Sequence, residues 1–244
     1  MDLRGHPDRR REPHHHVRLN HVPGGLVVLE GIEGVGKSTQ LRHLASRLEK
    51  DGAVVRTVRE PGGTVAGDEI RRLLLDPASH LDGRTEALLF MASRAQLVTD
   101  VIRPALARGE FVLADRFFLS TYAYQVAGRG LPEEDVRRAN ALATAGLVPD
   151  LTLLLDLPAG AGLERAARRG AHDRIEQSGA AFYDRVRAAF VEFATPAWQQ
   201  RHAEAGPIVL VDASGDEGAV SGRIAAEVAR RWPQTARTLA GSNS

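Results

Sequence analysis

From residue 25 onward the chain alternates short apolar runs with longer amphipathic stretches. Leu26 to Glu30, Val54 to Val58, Phe111 to Ala114, Leu151 to Asp156 and Ile208 to Asp212 are brief and rich in Val, Leu or Ile, as strands buried on both faces are. Between them, Ser38 to Lys50, Asp68 to Leu75, Arg84 to Arg108, Pro132 to Ala145, Gly160 to Arg169, Gly179 to Ala205 and Glu217 to Arg231 read as helices. Strands separated by helices predict an α/β fold with a parallel sheet covered on both faces. Met1 to Pro23 shows neither period; its arginine run (residues 9 to 11) and histidine run (residues 14 to 16) sit among prolines. It reads as a disordered tail of no specific chemistry.

Composition narrows the picture. A length of 244 residues suits one α/β domain with at most a small appendage. The 32 basic and 31 acidic residues nearly cancel, so the whole molecule has no strong electrostatic reason to coat nucleic acid or an anionic membrane. Lys37 and Lys50 are the only lysines, which singles out each. The absence of cysteine excludes disulfides and thiolate metal sites and favours an intracellular location. The apolar runs are too short to span a bilayer, and the first twenty residues lack the apolar stretch of a secretory signal. A soluble cytoplasmic protein is expected.

The first apolar run leads directly into Gly31-Ile32-Glu33-Gly34-Val35-Gly36-Lys37-Ser38, which fits G-x4-G-K-[ST] in the strand-loop-helix setting that this pattern requires. Glycines let backbone amides curl around phosphate oxygens, and the following helix presents its amino-terminal amides to the same charge. The stretch from Gly31 to Thr39 is therefore the expected ATP site. Lys37 supplies a cation for the β- and γ-phosphates, and the Ser38 hydroxyl is placed to ligate magnesium. Neither lysine follows an asparagine, which argues against a GTPase of the Asn-Lys-x-Asp kind. The roughly two hundred residues after the loop suit a compact small-molecule kinase better than a large ATPase machine. A non-catalytic ATP-binding regulator is the alternative from another class.

The strand at Phe111 ends in Asp115-Arg116, at the sheet edge where ligands meet an open α/β fold. Asp115 is suited to orient the magnesium shell or the attacking phosphate. Arg116 is suited to neutralise charge as two phosphates approach, with a structural ion pair as the competing account.

Four further clusters accompany the phosphate loop. They are Arg59-Glu60-Pro61-Gly62-Gly63-Thr64, the stretch from Glu69 to Asp76, Asp115-Arg116 followed by Ser120-Thr121-Tyr122-Ala123-Tyr124-Gln125, and Asp173-Arg174-Ile175-Glu176. Together they resemble the bacterial thymidylate kinases, in order and from about Gly25 to Trp232. The resemblance implies a P-loop kinase three-layer sandwich: a five-stranded parallel sheet, helices on both faces and a small helical lid. It places a kinase domain at 24–233 with the lid at about 159–176, between the tail at 1–23 and a flexible tail at 234–244. It further implies phosphorylation of dTMP to dTDP by ATP with magnesium held near Ser38 and Asp115, in a homodimer. A kinase for another nucleotide is the rival within that class.

By the same resemblance Phe90 stacks on thymine, in competition with a plain core role, and Arg94 on the same helical face bonds a base carbonyl. Thr121 sits near the base edge, Tyr124 lies beneath the sugar where it excludes a 2'-hydroxyl, and Gln125 supports the pocket. Glu33 approaches the acceptor's sugar hydroxyl or the charges around its phosphate, while Arg71 and Arg116 grip that phosphate. The Glu60-Pro61 bond is expected to be cis. Since Gly34 stands where some relatives carry an arginine, the catalytic arginine is expected from the lid, with Arg169 and Arg174 preferred over Arg165. Phe117-Phe118 departs from the pattern, which usually has a polar or single aromatic residue there.

Overall fold

The computed structural model describes residues 24–157 and 174–235. Five parallel strands, β1 (Leu26–Glu30), β2 (Val55–Arg59), β3 (Phe111–Asp115), β4 (Leu151–Asp156) and β5 (Ile208–Asp212), form one sheet in the order β2-β3-β1-β4-β5. The central strands β1 and β4 are buried on both faces, whereas the edge strand β2 carries exposed polar residues at Arg56, Thr57 and Arg59. Period-two alternation splits β1 between two cores. Leu26 and Val28 face a cluster that includes Leu97, Phe117, Tyr122 and Phe190; Val27 and Leu29 face one that includes Leu44, Leu48, Ile224 and Val228. Helices thus cover both faces, as expected. Strand order diverges on either side of β1, so the crevice for ligands lies beyond the carboxyl ends of β1 and β3.

Helix α1 (Lys37–Lys50) starts immediately after Gly36, whose φ of 101° is accessible to glycine at little cost. Helix α2 (Val65–Leu75) starts three residues before the expected Asp68, because the Thr64 side chain caps it by accepting from the Gly67 amide. The stretch expected as one helix from Arg84 to Arg108 is α3 (Gly83–Leu97), a π-helical turn (Val98–Ile102) and α4 (Arg103–Ala107). Pro104 offers no N–H to the ladder, and the wider turn just before it accommodates that loss. Likewise the single helix expected over Gly179 to Ala205 is broken. The chain forms α7 (Ala180–Phe193), then restarts at Thr195-Pro196 as α8 (Pro196–Arg201), with the Thr195 hydroxyl capping and proline at the first helical position.

A helical stretch not expected from sequence, α5 (Phe118–Thr121) continuing as a π-helical segment (Tyr122–Gly128), follows β3. It is almost wholly buried, so it shows no amphipathic period, and it supplies one wall of the crevice. Helix α6 (Glu133–Thr144) packs beside α3, and α9 (Glu217–Arg231) covers the opposite face with α1. The two tails and the expected lid helix at 160–169 lie outside the described residues.

Candidate active site

Two candidate phosphate-binding segments converge on one cavity of about 460 Å³ beyond the ends of β1 and β3. The first is the loop from Gly31 to Ser38. Its Lys37 side chain folds back over the loop and donates to the carbonyls of Gly31 (2.9 Å) and Ile32 (2.8 Å), so the ammonium stands at the cavity edge with its charge largely desolvated. Burial and the nearby Arg116 charge lower its pKa to about 8, against the pull of Glu33 and Asp115. Glu33, Gly34, Gly36, Lys37, Ser38 and Thr39 line the cavity; Val35 turns its side chain into the core and Ile32 packs partly against it. Gly31 could not carry a side chain, since a Cβ there would lie 2.5 Å from the Leu155 carbonyl oxygen at a φ of 134°.

The second segment is the turn after β3. Asp115 pairs in register with Leu29, and its carboxylate accepts from the Ser38 hydroxyl at 2.6 Å. Arg116 adopts a φ of 71°, a conformation that costs a side-chain-bearing residue on the order of 1–3 kcal/mol and that persists only where neighbours impose it. They do. Its amide donates to Leu29 O (3.0 Å), and its guanidinium donates to Gly31 O (3.0 Å), Ser120 Oγ (2.8 Å) and Glu33 Oε1 (2.6 Å) while lying over the Tyr124 ring. The Tyr124 hydroxyl completes the cluster at 2.7 and 2.6 Å from the two Glu33 oxygens.

Electrostatics follows from that packing. Burial alone would raise the Glu33 pKa, but Arg116 and Lys37 outweigh it and hold the carboxyl below its usual range. Burial would likewise weaken the Arg116 charge, yet Tyr124 and Glu33 hold it more firmly protonated. Burial, reinforced by Glu33 against the pull of Arg116, pushes the Tyr124 phenol well above its ordinary value. In effect the Glu33 carboxylate occupies the cation that an incoming anion would seek.

Sequence reasoning missed what fixes this turn. Glu30, fully buried at the end of β1, accepts from the amides of Phe117 (2.8 Å) and Ser120 (3.1 Å) and from the Ser120 hydroxyl (2.6 Å). It thereby holds the start of α5 where the N-terminal amides lack partners of their own. An acid closing an apolar strand was its only local signal.

The rest of the cavity is lined by Arg71, Leu75, Phe90, Arg94, Thr121, Gln125 and Ile175 among others, so every expected acceptor residue borders it. Arg71 donates to the Pro61 carbonyl (2.9 Å), next to the Glu60–Pro61 bond, which is cis as expected. Arg94 is 2% exposed and uses its Nε and both terminal nitrogens within the protein: to Glu60, to Thr121 Oγ1 (2.9 Å), to Asn140 Oδ1 (2.6 Å) and to the Phe117 carbonyl (2.6 Å). Asn140 and Glu60, both buried, were not foreseen as its partners.

The two expected lid arginines fare differently. Arg169 lies outside the described residues. Arg174 donates to the Leu74 carbonyl (2.8 Å) and to Glu86 Oε2 (2.5 Å), and is not among the residues that line the cavity.

A phosphate loop and an Asp-Arg turn facing an aromatic, arginine-lined pocket across one crevice define a P-loop kinase that acts on a small phosphorylated acceptor. The thymidylate kinase family model matches residues 29–212. The chain is 48% identical over 208 residues to the thymidylate kinase of Deinococcus radiodurans, covering 85% of this chain and 98% of that one. It is 46% identical over 211 residues to that of Desulforudis audaxviator, covering 85% and 91%. Among solved structures, thymidylate kinase from Ehrlichia chaffeensis superposes with a TM-score of 0.65 at 28% identity, over 84% of this chain and 99% of that one. The chain belongs to the thymidylate kinase family, ATP-dependent phosphotransferases that convert dTMP to dTDP.

Proposed function

We propose that the crevice moves the γ-phosphoryl group of ATP onto the phosphate of dTMP, with the residue roles that follow. The observation that carries this is the shared cavity: Lys37, Arg71 and Arg116 line one space, with the Lys37 ammonium and the Arg116 guanidinium donating to the same Gly31 carbonyl, and so give two anions a common meeting place. An oxygen of the dTMP phosphate attacks the γ-phosphorus, the bond to the β-phosphate oxygen breaks, and ADP leaves. Such a step needs alignment and charge stabilisation more than covalent help from the protein. Lys37 neutralises the donor phosphates, and Arg116 holds the acceptor phosphate, which shares or displaces Glu33 at the guanidinium. Glu33 then faces the sugar hydroxyl. Arg169 is the arginine we assign to the transferred phosphoryl group.

The Ser38 hydroxyl and the Asp115 carboxylate, 2.6 Å apart beside the loop, are oxygen donors of the kind magnesium takes together with waters and nucleotide phosphates. A magnesium ion bound there would neutralise phosphate charge during transfer.

For the base, Phe90 provides the stacking face and Tyr124 the floor beneath a sugar without a 2'-hydroxyl. Arg94 reaches a base carbonyl only by sharing an N–H with its present acceptors, so its first task is to hold Glu60, Thr121 and Asn140 in the pocket wall. Gln125 donates its amide to Glu86 at 3.1 Å, and its carbonyl oxygen is buried without a partner among the described residues. That oxygen suits the N3–H of thymine, a donor that cytosine lacks at the same position.

Helices α2, α3 and α6 expose Val65, Leu88 and Leu142, which favours a second copy of the chain against that side. We place the reaction in the cytoplasm, where ATP is supplied; among the described residues no helix is long and apolar enough to cross a membrane. The test is formation of ADP and dTDP from ATP, magnesium and dTMP, beside dUMP, dCMP, UMP and AMP. Turnover greatest with dTMP and reduced by about a hundredfold in Arg116→Ala supports the reading. ATP binding without turnover on any acceptor overturns it.

A further inference from the structure

Behind the acceptor wall stands a carboxylate to which the reaction assigns no task. Glu86, in the first turn of α3, is 1% exposed and does not line the cavity. Its Oε1 accepts from Gln125 Nε2 (3.1 Å) and Arg129 Nε (3.0 Å); its Oε2 accepts from Arg129 Nη2 (3.0 Å) and Arg174 Nη2 (2.5 Å). One buried side chain thus joins α3 to the wall segment, to the residue that ends it, and to the chain at 174.

Each of these partners touches the pocket through a neighbour or directly. Gln125 lines the cavity itself. Arg174 also docks on α2 through its backbone amide, which donates to the Leu75 carbonyl at 3.1 Å, and the next residue, Ile175, lines the cavity. Arg129 lies over the Phe182 ring, and Phe182 packs against Tyr124.

We infer that Glu86 is a positioning residue for base selection: it dictates which edge of the Gln125 amide the base meets, and it seats Ile175 beside it. The physical reason is polarity. A carboxylate only accepts, so Gln125 must give it the NH2 group and keep the carbonyl oxygen for the ligand. An amide bonded to a group that can either donate or accept would present either edge. With the carbonyl fixed, a base bearing N–H at the facing ring position is favoured over one bearing a lone pair, because the mismatched pair leaves two buried acceptors opposed. The inference rests on the proposed placement of the base against Gln125.

The experiment compares dTMP with dCMP as acceptors at saturating ATP in the full-length protein, for Glu86→Gln and Gln125→Ala beside the parent. In Glu86→Gln the ratio of kcat/KM for dTMP over dCMP is expected to fall by about tenfold or more, through KM, with kcat on dTMP changed by no more than about threefold. The KM for ATP stays constant. If Glu86→Gln does not fold, Glu86→Asp reads the same ratio: it keeps the charge between the two guanidiniums but withdraws it from the amide by one methylene, so a smaller fall is expected. A purely structural role lowers thermal stability and all rates together while the ratio holds, and that result overturns the inference. Gln125→Ala separates the two levels. An unchanged KM for dTMP there overturns the placement of the base and the inference with it; a raised KM combined with an unchanged ratio in Glu86→Gln overturns the inference alone.

Discussion

The two halves of the crevice are built in opposite ways. The proposed donor half is nine consecutive residues, Gly31 to Thr39, whose shape is set by local glycine geometry and by the start of α1. The proposed acceptor half gathers residues from 60 to 175, held by buried and half-buried ion pairs and amides that span tens of positions in sequence: Arg94 to Glu60, Arg129 and Arg174 to Glu86, Arg116 to Glu33. A contiguous site can lose a functional group and keep its fold. A site made from a buried polar network cannot, because each partner left behind is an uncompensated buried charge.

The sharpest break of that contrast sets Lys37→Met against Arg94→Met. Lys37→Met removes the charge proposed to meet the donor phosphates and is expected to lower kcat on the order of a thousandfold, about 4 kcal/mol of transition-state stabilisation. Its melting temperature in the absence of nucleotide should not fall, since the buried ammonium is held at some cost. Arg94→Met should behave the other way. Burial already raises the Glu60 pKa against the pull of Arg94, and without the guanidinium Glu60 has no counter-charge. A loss of about 3 kcal/mol in unfolding free energy is expected from urea titration. Comparable destabilisation in the two variants would erase the distinction.

The same contrast explains what was readable from sequence. The phosphate loop, the Asp115-Arg116 turn and the five strands carry their signals locally, and the strand boundaries agree with expectation to within a residue. The early start of α2 at its Thr64 cap and the helix break at Thr195-Pro196 also carry local signals, a capping threonine and a proline at the first helical position, that hydrophobic periodicity alone does not see. By contrast Glu30, Glu86 and Asn140 have partners 39 to 90 positions away, and nothing in their own neighbourhoods names those partners. Buried polar residues of this kind are legible only once the fold has brought the partners together. The wall segment from Phe118 to Gly128 was missed for a related reason, since burial on all sides removes the polar face that would mark a helix.

A smaller effect separates the halves by pH. Lys37 titrates at about 8 in the free protein against an ordinary 10.5, so between those values the unfolded chain binds more protons and Lys37 makes stability rise with pH. Nucleotide binding runs the opposite way, because phosphates favour the charged lysine. Affinity for ATP is therefore expected to hold below pH 8 and then to fall by about tenfold per pH unit, measured by calorimetry, until the pKa of the bound form is reached. Affinity for dTMP, proposed to rest on arginines that do not titrate in this range, should stay level.

The smallest change tests whether the two halves meet at Glu33, the one loop residue that belongs to both. Tyr124→Phe keeps the ring beneath Arg116 and removes only the hydroxyl that lies on the Glu33 carboxylate. Arg116 remains as a partner, so the expected loss is about 1 kcal/mol at pH 7. Glu33 has a folded pKa below its ordinary 4.5, so its contribution to stability is present above that value and is lost as pH falls through the folded one. Because the Tyr124 hydrogen bond helps to lower that pKa, its removal raises it toward 4.5, and the stability curves of parent and variant should converge as pH falls below 4.5 through the folded value of the parent. Preference for dTMP over its ribonucleotide counterpart should survive, since the ring proposed to exclude the 2'-hydroxyl is unchanged. A variant that loses this preference while its acid limb matches the parent would separate Glu33 from the acceptor half and assign it to the phosphate loop alone.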